Sequence, residues 1–312
     1  MNVSIVYGGT SEERFASAKN AHDIADALNS RGYNTKLIEF GHDIMATIKA
    51  ADTDVVFVCT QGKGHGDGTL QGMLEHENIP YTGSGLRAAS LINDKILCKS
   101  LFDKYNIRTP KWEILEKEDY DNKNFDFAAF GYPFVAKAPT QGGSFGIALI
   151  QNEGELSKID DIFKYDDPIL LEKYVKGKFY TAGIYESKGE IISLPVVEGQ
   201  DLDLNKSDPD APELIVFTGN YDATAARLDK DTEDEILRVA RKVWNITYAR
   251  GLARVDFMVS NEDSKPYVLE INAVPGLKRY SLMPKEAEIM GIAYEDFIEE
   301  ILLTALNQHQ DR

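Results

Sequence analysis

The stretch ARVDFMVSNEDSKPYVLEINAVPGLKRYSLMPK, residues 253–285, carries more of the fold than any other part of the chain. Two strand-like runs, ARVDFMVS and KPYVLEINA, flank a polar segment, so they read as the arms of a hairpin. Alternate residues of a strand share a face, which puts Glu270 and Asn272 together, and pairing brings Asp256 beside them. Three converging oxygen donors suit a hard cation such as Mg²⁺ or Mn²⁺, which takes a few carboxylates and completes its shell with phosphate oxygens. The same three residues also fit a solvated strand face, because Leu269 and Ile271 flank them. Spacing alone leaves both readings open.

Upstream, Lys137 closes the strand-like PFVAKA (133–138) and is followed by PTQGGSFG (139–146). Small residues such as Gly142, Gly143 and Ser144 let backbone N–H groups come close to phosphate oxygens, and Lys137 adds a point charge. An ordinary glycine-rich turn accounts for the stretch equally well. No GK[ST] follows, so this is not a Walker A loop. GGTSEER (8–14) lacks the GxGxxG spacing of a dinucleotide fingerprint. QGKGHGDGTLQG (61–72) reads as a turn-rich loop running into a helix near Thr69, whose N-terminus favours an anion. His65 reads as a loop histidine rather than a catalytic base.

Working outward, residues 2–7, 35–40 and 54–60 read as strands, the last of them a buried parallel one, with a helix at 16–30 ended by Gly32. This alternation predicts a small doubly wound α/β domain. From about residue 87 the pattern becomes α+β. A helix is expected over 90–105, strands over 133–138, 142–150 and 169–175, and a helix near 153–163. Further strands are expected at FYTAGIYES, EIISLPVVE and the hairpin above, and helices at 230–248, 284–291 and 294–308. The polar stretch 199–229 suggests a surface loop near the site.

The formal net charge of −17 and a pI near 4.8 make nucleic acid an unlikely partner. No apolar run approaches the roughly 20 residues that span a bilayer, and the N-terminus shows no leader, so a soluble cytoplasmic protein is expected. Cys59 and Cys98 lie in apolar runs and read as buried thiols.

Seven blocks then fit one family in order: GGTSEER (8–14), GDGTLQGMLEHENIPYTGSG (66–85), NDKILCK (93–99), PFVAKAPTQGGSFGI (133–147), LLEKYVKG (170–177), GLARVDFMV (251–259) and PYVLEINAVPGLKRYSLMPK (266–285). Over nearly its whole length the chain resembles the D-alanine–D-alanine ligases of the ATP-grasp superfamily. The resemblance implies three domains at 1–88, 89–176 and 177–312, with ATP between the last two and an acyl-phosphate intermediate. The small-molecule partners would be amino acids, most simply two D-alanines joined for cell-wall peptidoglycan, and the working unit a homodimer. By motif position Lys95 and Lys137 contact the nucleotide phosphates, and Glu172, Lys173 and Val175 lie on the stretch that meets adenine. Asp256, Glu270 and Asn272 are the metal ligands. Arg254 stands by the reacting carboxylate, the Gly276 N–H by the oxyanion, and Glu13 by an amino group. Ser281 and Leu282 receive the second substrate's carboxylate.

Several positions depart from the family pattern. Gly143 replaces the first of two serines, leaving Ser144, the serine that links Glu13 to a loop tyrosine. FTGNYDATAARL (217–228) offers Tyr221 but no Lys-Tyr pair. Phe179 stands where an acid holds the ribose. KRYSL brings Arg279 and Tyr280 to the acceptor wall. These changes cluster at substrate contacts, so a ligase of another amino-acid or hydroxy-acid pair is the alternative reading. The intact Lys95, Lys137, Arg254, Asp256, Glu270 and Asn272 set argues against a non-catalytic nucleotide-binding protein.

Overall fold

A computed structural model describes residues 1–201 and 221–310. Much of the polar 199–229 stretch, and the side chain of Tyr221, lie outside the described residues.

The chain builds three sheets in succession. β1 (Asn2–Tyr7), β2 (Asn34–Glu39) and β3 (Val55–Val58) form a parallel sheet in the order β2-β1-β3. All four residues of β3 are buried, as a parallel strand covered on both faces requires. Val3, Ile5, Val55 and Phe57 pack on Ile24 and Leu28 of helix Arg14–Ser30. On the other face Val6, Val56 and Val58 meet Ile48, Leu70 and Leu74 of helices Ile44–Ala50 and Thr69–His76. The first face is completed from far away in sequence: Phe297, Ile301 and Leu302 of helix Tyr294–Gln310 join the same core.

β4 (Trp112–Leu115), β5 (Phe134–Lys137), β6 (Ile147–Ile150) and β7 (Ile169–Lys173) form an antiparallel sheet in the order β4-β7-β5-β6. The strand expected over 142–150 shrinks to Ile147–Ile150. Gly143, Ser144 and Gly146 all have positive φ, a conformation that no pleated strand accommodates.

β8 (Gly177–Ser187), β9 (Glu190–Ser193), β10 (Val197–Asp201), β11 (Tyr221–Ala225), β12 (Leu252–Ser260) and β13 (Pro266–Asn272) make the third sheet. Its order is β11-β10-β8-β12-β13, with β9 on β8. Helix Lys230–Ile246 lays Ile236, Ala240, Val243 and Trp244 on it.

The single helix expected over 90–105 is two, Leu86–Asn93 and Lys95–Lys104. Asp94 is extended between them, and its side chain accepts from the N–H groups of Ile96 and Leu97 at 2.9 and 3.1 Å, starting a second helix. Ala88, Ile92, Cys98 and Phe102 of this pair belong to the core of the third sheet. That break aims Lys95 and Lys99 at the site.

Candidate active site

The β12–β13 hairpin forms as its pattern predicts, with Asp256 paired to Glu270 and Arg254 to Asn272. Arg254 binds Asp256 bidentately, at 2.8 and 2.7 Å. The Asn272 amide donates to Asp256 at 3.0 Å, and the Thr181 hydroxyl of neighbouring β8 donates at 2.8 Å. Lys95 lies 3.4 Å from the Glu270 carboxylate and donates to the Gln141 carbonyl at 2.6 Å. Burial by itself would raise the Glu270 carboxyl. Lys95, Lys137 and Arg254 outweigh it and hold that carboxyl below its usual range.

The second charged centre is deeper. Glu172 on β7 is bridged by Lys137 of β5 and by Lys99. All three side chains are nearly inaccessible to water. Burial pushes Glu172 up, but the two lysines bring it down to about 2. Lys99 is pushed down by burial and then by Lys137, despite Glu172. Lys173, next along the strand, points the other way, donating to the Gly131 carbonyl at 2.9 Å and lying 5.4 Å from the Phe130 ring centre. Val175 is half-buried in the connection between β7 and β8.

Glu13 reaches the site from the N-terminal domain, at the start of helix Arg14–Ser30. The glycine loop wraps it: a Cβ at Gly142 would lie 2.6 Å from its carboxylate, and one at Gly143 3.2 Å from its Cγ. Burial raises Glu13 to about 7 against the pull of Lys95 and Arg254. Ser144 sits half-buried at the loop tip with φ 65°. Two further contacts tie the loops together. Lys63 reaches Asp166 at 3.1 Å, and Asp166 accepts from the Thr140 N–H at 2.8 Å. His65 is structural: its Nε2 accepts from the Thr10 N–H at 3.0 Å while its ring packs on Gly9 and Phe40.

Past β13 the chain turns through Gly276 to Ser281, the residue before helix Leu282–Ile289. A Cβ at Gly276 would meet the Ser281 hydroxyl at 3.1 Å. That hydroxyl is buried and has no hydrogen-bond partner among the described residues. Asn20 holds the turn by accepting from the N–H groups of Leu277 and Lys278, both at 3.0 Å. Arg279 turns away from the place expected for it: it pairs with Glu295 at 2.7 Å, and its backbone N–H donates to Asp23. Tyr280 is exposed. Phe179 is buried with Val197 and Leu282, against Met258 and Leu269.

Sequence reasoning missed Lys99, Asn20 and Asp166. Lys99 follows Lys95 by four residues on one helix and so shares its face, the one signal that could have found it.

Among the described residues no three His, Cys, Asp or Glu side chains gather into a cage for a metal. Two carboxylates and one amide do gather. That donor set fits Mg²⁺ or Mn²⁺, which need further oxygens from phosphate and water.

Three sheets with cationic side chains facing a carboxylate hairpin define an ATP-grasp ligase, and solved structures agree. The crystal structure of D-alanine–D-alanine ligase from Bacillus anthracis complexed with ATP superposes with a TM-score of 0.84 at 26% identity, covering 100% of this chain and 99% of that one. The Coxiella burnetii ligase shares the fold, with a TM-score of 0.80 at 21% identity over 100% of this chain and 96% of that one. Residues 101–303 match the family model described as D-ala D-ala ligase C-terminus. The D-alanine–D-alanine ligase of Carboxydothermus hydrogenoformans is 32% identical over 99% of this chain and 100% of its own length. That of Halalkalibacterium halodurans is also 32% identical, over 99% and 100%. The chain belongs to the D-alanine–D-alanine ligase family.

Proposed function

We propose that this protein is an ADP-forming ligase that joins two D-alanine molecules into D-alanyl-D-alanine, the dipeptide needed for peptidoglycan. One observation carries the reading. Lys95, Lys137, Arg254, Asp256, Glu270 and Asn272, drawn from both antiparallel sheets and one helix, converge on a site that Glu13 enters from the N-terminal domain.

ATP is the nucleotide. Lys95 and Lys137 meet its phosphates, Gly142 and Gly143 close over them, and the stretch from Glu172 through Lys173 to Val175 passes the adenine. Asp256, Glu270 and Asn272 would hold Mg²⁺ or Mn²⁺, which when bound neutralises charge on the transferring phosphoryl group. Glu13 receives the α-ammonium of the first amino acid; a cation there stabilises the ionised form of a carboxyl that burial otherwise raises. Ser144 steadies Glu13 from the loop. The first substrate's carboxylate attacks the γ-phosphate, giving an acyl phosphate with a good leaving group and ADP. The second amino acid docks its carboxylate on the Ser281 hydroxyl and the Leu282 N–H at the helix N-terminus. The buried Ser281 hydroxyl, without a hydrogen-bond partner among the described residues, supports this docking. Its amine attacks the acyl carbonyl, and Arg254 and the Gly276 N–H receive the oxyanion before phosphate leaves.

The reading brings with it units at 1–88, 89–176 and 177–312, a cytoplasmic location and a homodimer. No helix among the described residues is long and apolar enough to cross a membrane. The test is phosphate release and product mass with ATP and D-alanine, alone and paired with D-serine, D-lactate, D-aspartate and L-amino acids. D-alanyl-D-alanine is the expected main product. Release only with another pair, or with no D-amino acid at all, overturns the substrate assignment.

A further inference from the structure

Glu286 lies in helix Leu282–Ile289 and has no part in the chemistry above. It is wholly buried. Its Oε2 accepts from the Gly183 N–H at 2.8 Å, while its Oε1 has no hydrogen-bond partner among the described residues. A buried acceptor in that state is costly and calls for a donor that comes to meet it.

Gly183 shows which donor. A Cβ on Gly183 would lie 2.2 Å from Glu286 Oε2, so the carboxyl occupies the space that a side chain of residue 183 would fill. Gly183 on β8 is paired in register with Arg254 on β12. Residues opposite one another in antiparallel strands project to the same face, with Cβ atoms about 4.5–5.5 Å apart. The Glu286 carboxyl is therefore the cross-strand neighbour of the Arg254 side chain. The same Cβ would touch Leu194 and Met283, and two charges reach the carboxyl: Arg254, which favours its ionised form, and Asp256, which opposes it.

Arg254 is here clasped by both oxygens of Asp256. With Thr181 on Oδ1 and Asn272 on Oδ2 as well, all the lone pairs of Asp256 are taken, so binding a metal through Asp256 must displace one of these contacts. We propose that Glu286 is a positioning residue that takes one edge of the Arg254 guanidinium when Asp256 turns to the metal, leaving the other edge aimed at the reacting carboxylate. The planar fork of five N–H donors allows both contacts at once. This rests on the roles given above to Arg254 and Asp256.

A double-mutant cycle tests it. For the E286Q variant, kcat of D-alanine-dependent phosphate release falls about tenfold, while the same change made in an R254K background costs less than about twofold. A second readout needs no turnover. In thermal melts without nucleotide, E286Q raises the midpoint more in an R254M background than in wild type, because loss of the guanidinium leaves the carboxyl with no cation. G183A, which pushes the carboxyl off its seat, reproduces the kcat loss and serves if E286Q fails to fold. Equal losses in both arginine backgrounds, unchanged kcat in both E286Q and G183A, or additive melts overturn the proposal. A wild-type protein that releases no phosphate with D-alanine sinks the functional reading instead, and the melts still report the pairing.

Discussion

Glu172, on the central sheet, and Glu286, beneath the C-terminal sheet, are both shut away from water, and the molecule treats them in opposite ways. Glu172 is gripped by Lys99 and Lys137 and held down to about 2. Glu286 keeps one backbone donor, feels Arg254 with no ion pair among the described residues, and is pushed up by burial to about 8. The penalty of burying a carboxylate is common to both, so the difference lies in the counter-charges each sheet supplies. The central cluster is a finished structure. The carboxyl under Arg254 is poised for a partner that changes during the reaction.

The largest effect comes from breaking the finished cluster. Glu172→Gln leaves two buried lysines without their anion. Removing one member of a buried ion pair costs about 3–5 kcal/mol, and a similar drop in unfolding free energy is expected by urea titration at pH 7. A loss below about 1 kcal/mol would mean that water enters the cluster freely and that its burial does not set its energetics.

Asp256 is the group that would switch between the two states of the site. Asp256→Asn, or Glu270→Gln, is expected to cut turnover about a hundredfold or more with the fold intact, the scale of losing an electrostatic group in the transition state. Near-wild-type kcat in either variant, with an unchanged circular dichroism spectrum, ends the metal-ligand assignment.

Acid and base should separate the two glutamates. The folded value of Glu172 lies below its ordinary 4.5, so its stabilisation is complete above that pH and drains away as pH falls toward 2. The folded value of Glu286 lies above 4.5, so its share of stability is complete below that pH and erodes as pH climbs toward 8. Glu286→Gln should therefore flatten the stability profile between pH 4.5 and 8. The gain at pH 8 is on the order of 2 kcal/mol, less than the full shift because a buried charge relaxes its surroundings. Parallel profiles for the two proteins would place the Glu286 proton elsewhere.

How much of this was readable in advance follows from how local each signal is. The hairpin carrying Asp256, Glu270 and Asn272 was legible because a period of two survives in the letters themselves, and strand pairing then has one sensible register. The glycine loop at 142–146 was legible as a loop from its own letters, but its approach to Glu13, about 130 positions away, came only through the family resemblance, since no local signal joins the two. Lys99 and Glu286 were hidden for a different reason. KILCKSLF reads as a helix with an apolar side and PKEAEIM as ordinary helix surface, and only the packing of those helices on the third sheet decides that Lys99 and Glu286 face inward. The return of helix Tyr294–Gln310 to the first sheet was invisible for the same reason, because an apolar stripe names no partner.

The smallest effect concerns an apolar residue on the same sheet, Phe179. Phe179 is on the same strand as Thr181, which supports Asp256, and it packs with Val197, Leu282, Met258 and Leu269. Its ring offers no acceptor to a hydroxyl. A hydrogen bond to a charged group is worth about 1.5–3 kcal/mol, roughly ten- to a hundredfold in affinity. Without one from this position, ATP and 2′-deoxy-ATP should differ by less than about tenfold in kcat/KM. Phe179→Glu should not simply restore discrimination, because the new carboxylate enters an apolar group and must be desolvated before it can bind anything. Discrimination beyond tenfold in the wild-type protein would show that another acidic side chain holds the ribose. The variant tells which kind of region this is. If Phe179→Glu discriminates strongly, the patch tolerates a charge as the Glu172 cluster does. If it merely loses stability, the patch is core.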